Sequence, residues 1–370
     1  MPPSQHRVNL PRRLAAWTLA VLLMAAPGRA DSDAACGTVG AVRVRAMGEI
    51  GLTVADLERE VAFFTEVLAF EVVGRGGTAR GAVDAWLGLD ETELRTAELQ
   101  LGNERIRLTE HRGRRGRPWP ADSRSCDHWF QHLAIVVRDL DKAYAALRRQ
   151  GVRHISTGPQ TLPAWNREAG GIRAFYFRDP EDHPLELIWF PRGKGDPRWH
   201  RPAPASRLFL GIDHTAIVVG DTARSLAFYR DALGFRVAGT AENYGPEQEH
   251  LNQVFGARVR ITALRAPYGP GLELLEYLAP PGGRPLPAGS AANDLVFWQT
   301  GLRIDALAPT HAAILAAGGS DVSRHPVTPP FPGGEEVAGG SHAAERSLIV
   351  RDPDGHALEL REHGKFATGP

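Results

Sequence analysis

The chain has 370 residues, enough for two or three domains with real cores and too many for one small module. Its 43 Lys plus Arg are balanced by 43 Asp plus Glu. That balance leaves no excess positive field to neutralise phosphates or to grip an anionic membrane, so nucleic acid is not an expected partner.

The N-terminus carries His6, Arg7, Arg12 and Arg13, then an apolar run from Leu14 to Ala26, then Pro27-Gly28-Arg29-Ala30. Charged, apolar and small residues in that order predict a signal peptide over 1–30, cut after Ala30, and a protein exported to the periplasm or beyond. The competing reading, a stable membrane anchor, is disfavoured because the run is short of the roughly 20 apolar residues that span a bilayer. Arg12-Arg13 loosely resembles a twin-arginine signal. Residues 31–44 read as an N-terminal linker. Two cysteines occur, Cys36 and Cys126, each shortly before a strand. In an oxidising compartment such an isolated pair predicts a disulfide, the alternative being two unrelated buried thiols.

Four segments then open with an alternating apolar strand followed by a turn and a helix. They are Glu49-Ile-Gly-Leu-Thr-Val-Ala-Asp56, His132-Leu-Ala-Ile-Val-Val-Arg-Asp139, His214-Thr-Ala-Ile-Val-Val-Gly-Asp221 and Gln299-Thr-Gly-Leu-Arg-Ile-Asp-Ala306. Their anchors, Glu49, His132, His214 and Gln299, stand 83, 82 and 85 residues apart, the mark of a repeated structural unit. Asp56, Asp139 and Asp221 occupy helix N-cap positions, whereas the fourth copy has Ala306 there.

Copies one and three continue as Ala62-Phe-Phe-Thr-Glu-Val-Leu-Ala-Phe70 and Ala227-Phe-Tyr-Arg-Asp-Ala-Leu-Gly-Phe235, with helical spacing. Copies two and four have shorter predicted helices around Ala143 and Ala312, and close with Asp179-Pro-Glu-Asp-His-Pro-Leu-Glu-Leu187 and Asp352-Pro-Asp-Gly-His-Ala-Leu-Glu-Leu360. This ABAB order predicts a duplicated two-module unit. Modules one and two form one domain over 45–192, modules three and four a second over 208–364, and the Pro/Gly-rich stretch 193–207 links them. His183 and His356, in the turns before the closing strands, read as structural. Pro326 to Gly340 reads as a flap.

These strings, at these spacings, resemble the vicinal oxygen chelate superfamily of glyoxalases, bleomycin-resistance proteins and extradiol dioxygenases. The resemblance covers nearly all of the chain beyond the leader and implies an α+β fold of four βαβββ modules paired into two half-barrel cups. It further implies one divalent metal, Zn, Ni, Co, Mn or Fe, held by ligands from the opening and closing strands. In Gly271-Leu-Glu-Leu-Leu-Glu-Tyr277, Glu273 and Glu276 face opposite ways, so only one reaches a given metal. The family pattern selects Glu273, and with it His214, Gln299 and Glu359, as the metal set of the second domain. It also gives Glu359 and Glu273 the catalytic proton transfers.

The same positions in the first domain are Glu49, Arg107, His132 and Glu186. Arginine has no lone pair for a metal but pairs readily with a carboxylate, so a Glu49–Arg107 ion pair is expected in place of coordination there. Tyr244, His250 and Asn252, in a Gly/Pro-broken polar stretch, are candidate substrate contacts. The resulting expectation is a metal-dependent lyase or isomerase of the glyoxalase/epimerase kind acting on a small molecule with adjacent oxygens. The alternatives are a ring-cleaving extradiol dioxygenase, which uses two His and one Glu around Fe(II), and a non-catalytic small-molecule binder.

Overall fold

The computed structural model describes residues 42–79, 81–202, 204, 206–328 and 346–362. The expected signal peptide, Cys36 and most of the Pro326–Gly340 flap lie outside these residues. Cys126 is buried and carries no disulfide among the described residues. The expected disulfide therefore has no described partner to pair with.

The fold is α+β, and all four modules are present. Module one runs β1 (Val44–Val54), α1 (Leu57–Ala62), β2 (Glu71–Ala79), α2 (Ala82–Leu87), β3 (Glu93–Leu101) and β4 (Glu104–Arg112). Module two runs β5 (Gln131–Val137), α3 (Leu140–Arg149), β6 (Arg153–His154), β7 (Gln160–Thr161), β8 (Arg173–Arg178) and β9 (Pro184–Trp189). Module three runs β10 (Phe209–Val218), α4 (Thr222–Leu226), β11 (Arg236–Tyr244), α5 (Pro246–Asn252), β12 (Arg258–Arg265) and β13 (Gly271–Ala279). Module four runs β14 (Trp298–Ile304), α6 (Leu307–Ala316), β15 (Ser320–Asp321), β16 (Arg346–Arg351) and β17 (Ala357–Glu362).

The helix starts follow the sequence. Asp56, Asp139 and Asp221 accept from the backbone N–H groups of Arg59, Lys142 and Arg224, while Ala306 makes no side-chain cap. In modules one and three a short α-helix continues as a π-helical turn, Phe63–Val67 and Ala227–Ala232. The helices expected to be shorter, α3 and α6, are uninterrupted and have 10 residues each.

The strand pairing differs from the expected one. One sheet has the order β15-β16-β17-β14-β1-β4-β3-β2, uniting modules one and four. The other has β11-β12-β13-β10-β5-β9-β8-β6, uniting modules two and three. Sequence neighbours meet instead through their outer faces. One core gathers Ile50, Leu52, Phe64 and Leu108 of module one with Leu133, Ile135, Phe175 and Leu187 of module two. Another gathers Ile217, Phe228, Tyr229 and Leu274 of module three with Leu302, Ile314, Val350 and Leu358 of module four. The reason is alternation: every second residue of an opening strand faces its helix and that core, so a module has two apolar faces and two different partners to satisfy them.

His183 and His356 fasten those outer contacts. His183 sits 2.7 Å from Asp179 and, through Nε2, 3.0 Å from the Thr53 carbonyl of module one; His356 Nε2 lies 2.8 Å from the Val218 carbonyl of module three. The stretch expected as a plain linker contains a 3-10 turn, Pro197–His200, whose Trp199 packs with Leu210, Ile172, Phe190 and Val136 at one end of the second cup.

Candidate metal centre

In the second sheet four side chains converge because of register. Ala216 of β10 lies opposite His132 of β5 and beside Glu273 of β13; His214 lies opposite Ala134, which is beside Glu186 of β9. Neighbouring strands thus alternate a ligand-type residue with a small alanine on one face, which lets four donor groups approach one another. His132 Nε2 is 3.2 Å from Glu186 Oε2, and His214 Nε2 is 3.5 Å from both Glu186 Oε2 and Glu273 Oε2. One ligand atom from each of His132, Glu186 and His214 lies within 4.8 Å of the others, and all three residues are buried.

The donor set fits a divalent cation. Among the described residues neither ring nitrogen of buried His132 makes a hydrogen bond, and Nε2 only faces the Glu186 carboxylate. Such orphaned buried groups are costly unless something else binds them. Two imidazoles and two carboxylates neutralise a 2+ charge and suit Zn, Ni, Co, Mn or Fe. Burial opposes a positive charge on His214, but Glu273, Asp213 and Glu186 outweigh it and raise its pKa to about 9. The cluster therefore draws in positive charge.

Two neighbours escaped the sequence reading. Asp213 Oδ2 lies 3.0 Å from His214 Nδ1. Tyr176, opposite Glu186 in the β8–β9 ladder, packs its ring 4.7 Å from that of His132. Burial and the nearby Glu186 push its phenol well above the usual range, so it stays protonated. The register with Glu186 was the signal for Tyr176, but it exists only once β8 is correctly paired.

Gln299 and Glu359, expected in one set with His214 and Glu273, stand in the other sheet, where they are grouped with Glu49 and Arg107. There Arg107 is 2.8 Å from Glu49 and 2.6 Å from Glu359, and Arg361 is 2.9 Å from Glu49 and 2.6 Å from Glu359. The expected Glu49–Arg107 ion pair forms, but inside a four-membered cluster with Glu359 and Arg361, so Glu359 is not placed to act as catalytic base or metal ligand. Burial raises the cost of its charge, yet Arg361 and Arg107 hold its pKa below the ordinary carboxylate range. Where the second cup has Ala134 and Ala216, this one has Gly51 beside Arg107 and Gly301 beside Glu359. A Cβ on Gly301 would meet the Glu49 carbonyl at 2.7 Å, so the close strand approach requires glycine.

The candidate substrate contacts lie where the two edges of the second sheet meet. Tyr244 is exposed and stacks on Trp165 at 4.3 Å. The His250 carbonyl accepts from Thr157 N, and the buried Asn252 donates to the Tyr277 hydroxyl. Asn166 donates to Asn243 across the same seam. These residues close the cup; of the three candidates Tyr244 and His250 are exposed and Asn252 is buried.

Paired βαβββ modules with a His/Glu cluster on the inner face of one cup define a half-barrel protein with a candidate metal site. The chain belongs to the Glyoxalase/Bleomycin resistance protein/Dioxygenase superfamily, whose family model matches residues 46–187 and 211–360. It is similar to a 2-epi-5-epi-valiolone epimerase from Actinomyces sp, 34% identical over 166 residues that span 42% of this chain and 84% of that protein. A lactoylglutathione lyase from Haemophilus influenzae is 28% identical over 162 residues, 43% of this chain and 98% of that one. Among solved structures, glyoxalase I from Zea mays superposes with a TM-score of 0.54 at 19% identity, covering 87% of this chain and 92% of that one, which bears on the fold.

Proposed function

We propose that the protein is a divalent-metal-dependent lyase or isomerase of the glyoxalase/epimerase kind, with His132, Glu186, His214 and Glu273 as its metal set. The observation that carries this reading is the convergence of four donors, two of them carboxylates, in one cup. A bound cation would supply Lewis acidity to two adjacent oxygens of a small substrate. The chain's own groups do the rest. His132, His214 and Glu186 hold the site, and Ala134 and Ala216 put no bulky side chain between them. Glu273, whose side chain is 24% exposed against 5% for Glu186, takes a proton on a carboxylate oxygen and returns it to the neighbouring carbon. The phenol of Tyr176 shields the same pocket beside His132.

A second reading is favoured by one observation: among the described residues His132, Glu186 and His214 form a group within 4.8 Å without Glu273, and two His with one carboxylate is the set used by Fe(II) oxygenases. Elemental analysis of the purified chain with His132→Ala and His214→Ala separates the readings. One divalent ion per chain, lost in both variants, is expected. Iron together with oxygen uptake on catechols would move the assignment to ring cleavage, and no metal in the wild type would leave a binding protein.

Export belongs to the same proposal and is supported by the residue order of the N-terminus. Mass spectrometry of the mature chain is expected to lack Leu14–Ala26; its retention would refute export with cleavage.

A further inference from the structure

We propose that Asp213, gripped from the inter-module stretch by Trp199, is the positioning residue that orients His214 toward the metal. This inference rests on the metal reading above. In a regular strand, consecutive side chains point to opposite faces, so Asp213 would aim away from His214. The β10–β5 ladder breaks register between Ile212 and His214, which makes Asp213 the extra residue of a bulge. Bulges re-aim side chains, and this one turns the Asp213 carboxylate back onto its neighbour's Nδ1 at 3.0 Å. The carboxylate is itself held on two further sides. Trp199 Nε1 donates to Oδ1 at 2.9 Å, and Arg265 donates to Oδ2 at 3.0 Å and to the Asp213 carbonyl at 2.9 Å. Asp213 is buried, which shields these contacts from bulk solvent.

The repeat supplies the comparison. The residue just before each opening-strand anchor is Gly48, Gln131, Asp213 or Trp298, so module three alone carries an acid there. Module one has a register break at the corresponding place, between Met47 and Ile50, but puts Gly48 in it. Its anchor, Glu49, is held by arginines and has no ring to orient. His132, the other imidazole of the metal set, has no hydrogen bond at Nδ1 among the described residues. Asp213 thus fixes the tautomer and plane of one ligand only, leaving His214 Nε2 as the coordinating atom. The stretch between modules two and three acts on the metal through it.

The test measures Zn(II) affinity by chelator competition and the visible spectrum of the Co(II)-loaded full chain. Asp213→Ala is expected to weaken Zn(II) binding by about 10–100-fold, with Asp213→Asn, which keeps an acceptor, losing less. Trp199→Phe keeps the packed ring and removes only the donor; it is expected to give a smaller loss and a shifted Co(II) spectrum. That variant keeps the inference testable should Asp213 variants fail to fold. Wild-type affinity and spectrum in the folded variants would overturn the inference. A wild type that binds no metal would overturn the metal reading itself.

Discussion

His132, an opening-strand anchor, and Glu359, in a closing strand, both belong to the inner clusters yet have opposite fates. His132→Ala is expected to abolish stoichiometric metal binding, measured by elemental analysis, with little effect on the first sheet. Glu359→Ala should leave metal content unchanged but lower stability by about 3 kcal/mol in denaturant unfolding, since it strips a buried carboxylate from two arginines. Glu60 gives a third prediction. It is buried, neither carboxylate oxygen has a hydrogen bond among the described residues, and burial followed by Asp179 and Glu181 raises its pKa. An acid raised in the folded state imposes no penalty below its unfolded pKa and a growing one as pH rises through the interval up to the folded pKa. Glu60→Gln should therefore be more stable than wild type at neutral pH, with the gap closing as pH falls toward the ordinary carboxylate range, as thermal unfolding across pH would reveal. At module three the same helix position is Ser225, which satisfies itself on the Asp221 carbonyl.

At the level of elements, the closing turns act as clasps. Arg59 reaches Glu181 at 2.8 Å, and Glu181 also accepts from the N–H groups of Ala55 and Asp56 at the head of α1. Arg224 pairs with Asp354 in the same way in the other half. His356→Ala should cost about 1–3 kcal/mol, because it leaves the Val218 carbonyl buried without its partner, and calorimetry would register the loss. The repeat, the helix caps and the structural role of these histidines were legible because each rests on local spacing and residue type. Pairing was not. Whether β5 joins β10 or another opening strand depends on contacts about 80 residues apart, and alternation alone allows either. The chemistry of the repeat positions did carry a signal. All four side chains able to bind metal without an arginine among them fall in modules two and three, and the arginines Arg107 and Arg361 fall in one and four.

For the molecule as a whole, the crossed pairing means that neither half defined by sequence contains a cup. Residues 45–192 produced alone would hold His132 and Glu186 but neither His214 nor Glu273, and both β1 and β5 would become open edges. Open strand edges recruit other chains. The fragment is expected to bind no metal in stoichiometric amount and to self-associate, and mixing or co-producing it with residues 193–370 should restore one metal per pair. Size-exclusion chromatography with metal analysis checks both outcomes; a monomeric fragment holding one metal would contradict the arrangement.

The pairing is nested, like inner and outer brackets, and this sets a timetable for biosynthesis. Once Ala279 has left the ribosome every strand of the inner sheet and every donor of the metal cup is available, while β1, made first, still waits for β14 and the outer sheet ends only at Glu362. Val44 must keep its edge unclaimed until Ile304 arrives. Such distant closure is slow. A nascent chain halted between the two points would carry a complete donor set beside a raw strand edge, a form that quality-control machinery is built to hold or destroy.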